Sequence, residues 1–255
     1  MLYFRYPVYE KNTNINGDKL IKLIDHISLT LSHCLAPEHN KTNQKKFFYF
    51  QICTYVFNND SFYRWLIFTP VRQYEIWRFV TYTFLHAGSV HLMLNVIIQI
   101  LVAFPLETEQ GHGRVLLLYF AGVLAGGLGA SVFEPTMMVG ASAGVYCLLM
   151  SHIPHIVMNF QSLSHRYFRI VAVLVLCISD VIYSIRHCLT KGNLQPRIGV
   201  AAHVSGAICG LVFGFIVYQG CGKVSFLRVA RYAGLFVYLG WIVLTVVYNF
   251  RKASV

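Results

Sequence analysis

Six stretches of 18 to 22 mostly apolar residues limit this chain more than any other feature; they cover 87–106, 115–133, 137–158, 168–185, 199–218 and 232–250. A helix rises about 1.5 Å per residue, so about 20 residues cross the roughly 30 Å of hydrocarbon in a bilayer. A seventh stretch, 47–57, is interrupted by Asn58-Asn59-Asp60 and by itself reads as a weak, partial or interfacial span. Charged residues make up 12% of the chain and hydrophobic ones 56%, roughly half the charge content of a soluble domain. So few charges cannot cover so apolar a core, which excludes an ordinary cytosolic enzyme and a disordered tail. The sequence predicts an all-α polytopic membrane protein. A polar N-terminal region precedes the spans at 1–46, and a short tail follows at 251–255.

The net charge of +11 comes from 21 Lys and Arg against 10 Asp and Glu. These basic residues lie scattered through the short connections and both ends, as expected of loops facing anionic lipid, and form no stripe suited to nucleic acid. Counting 47–57 as a span puts 13 Lys/Arg on the side of the N-terminus against 8 on the other; omitting it reverses the bias to 15 against 6. Charge therefore permits both orientations. Seven cysteines include Cys147, Cys177 and Cys209 inside apolar runs, with no C-x-x-C pair, which argues against a disulfide framework or a structural metal site. Residues 1–46 are too mixed and polar for a signal peptide. Residues 19–34 read as a short amphipathic helix.

Consecutive spans alternate in direction, so the runs beginning near 87, 137 and 199 start at one common face of the membrane. His91, Ser142 and His203 then lie about five residues, or roughly 8 Å, below that face, with Asn95 one turn deeper. Polar side chains at such depth are costly and turn toward a bundle interior, where they partner one another. His91 and Asn95, spaced i, i+4, share a helix face. A histidine within reach of a serine is the minimum for covalent catalysis, and His and Asn donors suit a developing oxyanion. Gly206, Gly210 and Gly214 form a doubled G-x-x-x-G face, and Gly140, Ala141, Ala143 and Gly144 surround Ser142; both allow close backbone approach.

Structural readings stand beside these. Ser142 alone suits a helix serine bonded to its own backbone, a lone span histidine suits bundle packing, and glycine zippers alone mean packing. Gly140-Ala141-Ser142-Ala143-Gly144 fits G-x-S-x-G, but a nucleophile elbow needs a strand-to-helix turn, and this motif sits inside an apolar helix-length run. His152-Ile153-Pro154-His155 lacks zinc-protease spacing. Asp180, the only acid within the six spans, reads as a cavity or gate residue, or as a structural partner of nearby Tyr183 or Arg186.

Four elements in order resemble the rhomboid family of intramembrane serine proteases over roughly 77–250: Trp77-Arg78, His91-x-x-x-Asn95, Gly140-Ala141-Ser142-Ala143, and Ala202-His203-x-x-Gly206-x-x-x-Gly210. Residues 77–151 look most similar to animal secretory-pathway members, which carry six core spans and one added after them. The resemblance implies Ser142 as nucleophile and His203 as base, with Tyr146 stacked on the imidazole. It implies an oxyanion site of His91, Asn95 and the Ser142 N–H, and no metal or organic cofactor. Inactive relatives lose the serine or place Pro before it, whereas Ala141 precedes Ser142. It further implies a cytosolic 1–46 region, a lumenal Asn59-Asp60-Ser61 sequon and an unused Asn40-Lys41-Thr42 sequon. The implied partners are single-pass transmembrane substrates within the lipid bilayer, cut near the lumenal or extracellular face, with growth-factor-like ectodomains as the suggested cargo. The implied compartment is the Golgi or plasma membrane. The 11-residue 47–57 run departs from the full first helix of the family.

Two other functions compete. One is an inactive rhomboid-like protein that binds transmembrane clients and steers their trafficking or degradation. The other is a channel or transporter, which would spread its ionisable residues over several depths.

Overall fold

The computed structural model describes residues 64–87, 89–191, 199–220 and 224–253. The weak span 47–57, the polar region 1–46 with its 19–34 segment, both sequons and residues 254–255 lie outside the described residues.

Six long helices form the bundle: α1 Ser89–Gln110, α2 His112–Phe133, α3 Ser142–Asn159, α4 Arg166–Lys191, α5 Val200–Val217 and α6 Val224–Ala253. Among them α1, α2, α4, α5 and α6 each hold a segment long and apolar enough to cross a membrane. The chain is thus an integral, multi-pass helical membrane protein. The sixth long helix, α3, is less apolar because it is the most enclosed: Ser151, His152, His155 and Asn159 are all buried within the protein.

One expected boundary is corrected. The apolar run at 137–158 predicts a helix across its whole length, with Ser142 well inside it, yet the helix begins at Ser142. The reason lies in the backbone just before it. The Met138 N–H donates to the Phe68 carbonyl (3.2 Å) and the Gly140 N–H to the Tyr82 carbonyl (3.1 Å), and Gly140 takes φ +120°. Those bonds hold 138–140 extended, and a φ open mainly to glycine separates them from the helix. Ser142 therefore sits where extended chain turns into helix, contrary to the reason for setting aside an elbow-like geometry.

The central contacts use the small residues. A Cβ added to Gly206 would overlap the Ala143 carbonyl, and one added to Gly210 the Cys147 carbonyl, so α3 and α5 touch backbone to backbone. Gly126 of α2 leaves room for the Ala143 methyl, which a Cβ there would overlap. In lipid such contact, rather than hydrophobic burial, holds helices together. On the other side of α2, Asn249 of α6 donates to Ser131 Oγ (2.8 Å), and the Tyr238 hydroxyl donates to the Ala121 carbonyl (3.3 Å).

Residues 64–87 form a loop fastened by side chains to backbone. Arg78 is buried; it donates to the carbonyls of Arg64 and Ile67 (both 2.7 Å) and pairs with buried Glu75. Trp77 donates to the Trp65 carbonyl (3.2 Å) and stacks on the Trp65 ring. The Tyr82 hydroxyl reaches the Val123 carbonyl of α2 (2.8 Å), which anchors the loop to the bundle. At the opposite end, Glu109 of α1 accepts two bonds from Arg169 of α4 (2.6 and 2.7 Å), with His155 of α3 3.6 Å away.

Two outcomes follow. Thermal unfolding of the purified protein in detergent should fall sharply for Gly210→Val, where overpacking costs about 1–3 kcal/mol, and stay level for Gly240→Ala, whose added Cβ meets nothing within 4 Å. Arg78→Ala leaves the buried Glu75 carboxylate only the looser ion pair with Arg72 (3.6 Å) and should cost about 3–5 kcal/mol, read as a loss of folded protein on size-exclusion chromatography.

Candidate active site

Ser142 is the first residue of α3, with Ala141 at the cap. The first intrahelical bond runs from the Val145 N–H to the Ala141 carbonyl. The N–H groups of Ser142, Ala143 and Gly144 therefore point out of the positive end of the helix, beside the serine hydroxyl. His203 lies in the first turn of α5. Its height is set by Glu134, whose carboxylate accepts the Ala201 N–H (3.1 Å) and so caps the start of α5. The sequence offered no pattern that singled out Glu134.

The two residues meet. His203 Nε2 lies 2.8 Å from Ser142 Oγ, a bond in which the hydroxyl donates when the imidazole is neutral with its proton on Nδ1. The Tyr146 ring, one helical turn below the serine, stacks on the imidazole at 4.4 Å and 22° between planes. Ser142 and His203 are half-buried, so the pair is enclosed by protein without being sealed off.

His91 completes the layer from α1. Its Nδ1 accepts the Ala87 N–H (3.2 Å), which places the proton of the neutral ring on Nε2. That edge lies against Gly140: a Cβ there would fall 2.9 Å from His91 Cε1, 3.2 Å from Nε2 and 3.9 Å from Ser142 Oγ. The missing side chain of Gly140 is what admits His91 beside the serine. Asn95 is placed differently. It is buried one turn deeper, and its amide donates to the His91 carbonyl (2.9 Å) on its own helix. His86, in the loop before α1, meets His91 edge to face at 5.4 Å. Burial, reinforced by His91, pushes its imidazole down to about 4, so His86 is neutral near pH 7.

Ser142, His203, Tyr146 and His91 thus converge from α3, α5 and α1, while Asn95 lies one turn deeper with its amide bonded to its own helix. The extended backbone at 138–140 and the Glu134 cap were not legible in the sequence. Cys147, Cys177 and Cys209 carry free thiols.

The chain is 35% identical over 183 residues to Rhomboid-related protein 1 of Caenorhabditis elegans, covering 71% of this chain and 51% of that protein. It is 32% identical to mouse Rhomboid-related protein 2 (72% of this chain, 62% of that protein). It is 29% identical to the C. elegans protein named Inactive rhomboid-related protein 2 (63% and 46%). The chain therefore spans about half the length of these curated relatives. A Rhomboid domain family model matches residues 73–220, more than half of the chain and the whole of the layer just described; the chain belongs to the rhomboid family.

Proposed function

We propose that this chain is an intramembrane serine endopeptidase that cuts the transmembrane segments of single-pass proteins near the common face of its spans. The observation that carries the reading is the 2.8 Å approach of His203 Nε2 to Ser142 Oγ, at a helix N-terminus and beneath a stacked tyrosine. Ser142 Oγ attacks the scissile carbonyl while its proton passes to His203 Nε2. The new oxyanion is met by the Ser142 N–H and the His91 Nε2–H, with Asn95 one turn deeper on the same helix. Collapse breaks the C–N bond, and His203 returns the proton to the leaving amine. Water, deprotonated by His203, then attacks the acyl carbon and frees Ser142. Packing by Tyr146 orients the imidazole, so the dyad works without a hydrogen-bonded aspartate on His203.

A helical substrate hides its carbonyls in backbone hydrogen bonds, so it must unwind before it is cut. Substrates with small or helix-destabilising residues near the common face are preferred on that ground. The resemblance to animal rhomboids extends the proposal to a secretory-pathway membrane and to membrane-tethered, growth-factor-like cargo. A second reading, a client-binding protein without proteolysis, is favoured by the similarity to a relative named inactive.

Fluorophosphonate labelling of the detergent-solubilised protein separates the two readings without a known substrate. Wild type should label on Ser142, and both Ser142→Ala and His203→Ala should abolish the label. No label on folded wild type would move the assignment to the client-binding reading. Against a labelling wild type, His91→Ala should slow acylation by about 10²–10³, the cost of one oxyanion donor. Gly140→Ala should slow it too, since the added Cβ displaces His91 and the φ of +120° strains any residue but glycine.

A further inference from the structure

Asp180 is the one acid within the apolar segment of α4, and packing along α3 and α4 fixes what it faces. The Cys177 thiol lies 3.6 Å from Met150 Sδ, which sets the register of the two antiparallel helices. Three residues up α4 from Cys177 is Asp180, and four residues back along α3 from Met150 is Tyr146. At about 1.5 Å per residue the two steps rise to within roughly 2 Å of the same level. Asp180 and Tyr146 therefore stand at nearly one level, each about one turn from the Cys177–Met150 contact on the sides that α4 and α3 turn to each other. The other polar neighbours of the imidazole are Ser142 and Tyr146 on α3 and His91 on α1, none of them anionic. A carboxylate at this depth is costly unless something polar receives it, and the Tyr146 hydroxyl is that group.

We infer that Asp180 is a positioning residue of the Ser142–His203 pair, holding the Tyr146 ring against the imidazole through the tyrosine hydroxyl and setting a negative charge on the far side of that ring. The ring transmits orientation: its plane cannot rotate away from His203 while its hydroxyl is directed at α4. The charge favours the imidazolium that exists only while the tetrahedral adduct is present, so its effect falls on the rate of the chemical step and not on reagent affinity.

This inference rests on the protease reading, and the experiment separates their failures. Asp180→Ala, Tyr146→Phe and the double variant are compared with wild type in fluorophosphonate acylation, separating maximal rate from reagent affinity, and in thermal midpoint. Asp180→Ala should lower the maximal rate about tenfold, a coupling of the size shared by groups in one network, with reagent affinity unchanged. Tyr146→Phe, which keeps the stack and loses the hydroxyl, should lower it less, and the double variant should fall no further than Asp180→Ala. A wild-type rate in Asp180→Ala, a change confined to affinity, or losses that simply multiply in the double variant would overturn the inference. A wild type that does not label sinks the protease reading instead. The thermal midpoints then decide the Asp180–Tyr146 contact: additive shifts overturn it, and non-additive shifts uphold it.

Discussion

Everything in this molecule depends on two helices touching without side chains between them. Gly206 and Gly210 bring the backbone of α5 onto the carbonyls of Ala143 and Cys147 in α3. At that separation, and only there, an imidazole in the first turn of α5 meets a hydroxyl on the first residue of α3 at 2.8 Å. Lipid offers no hydrophobic gain for joining two apolar helices. The contact is held by van der Waals fit and by the polar groups it allows to pair. Structural and chemical demands therefore coincide, since substitutions that separate the helices also part His203 from Ser142.

A second constraint comes from outside the bundle. The loop 64–87 is tied to itself by Arg78 and Trp77 and to α2 by Tyr82, and two of its carbonyls accept N–H groups from the segment before Ser142. Those two bonds stop the helix from starting earlier. They leave the first N–H groups of α3 beside the hydroxyl, and they hold Gly140 in the conformation that makes room for His91.

The parts legible in the sequence are those governed by local periodicity and by residue size. Apolar run lengths located five membrane-crossing helices, the G-x-x-x-G repeat marked the face that α3 would meet, and a shared depth collected His91, Ser142 and His203. What escaped the sequence depends on partners far along the chain. An apolar run at 137–141 looks like helix because nothing local reveals that the carbonyls of Phe68 and Tyr82 will take its N–H groups. Glu134 looks like a loop acid until α5 arrives above it. Asp180 stood out as a charge, but its level opposite Tyr146 is set between helices, by the contact of Cys177 with Met150.

The long separation of the pair along the chain has a consequence for biosynthesis. Ser142 and His203 are 61 residues apart, and the rest of α3, the whole of α4 and the first turn of α5 are made between them. At ordinary rates of translation that interval lasts on the order of several seconds. Throughout it the nascent protein holds its serine at the end of α3 with no base beside it, an ordinary alcohol among the other helices passing through the translocon. On the protease reading proposed above, the hydroxyl gains its base only when α5 seats against α3, so newly made neighbours are spared until the fold is closed.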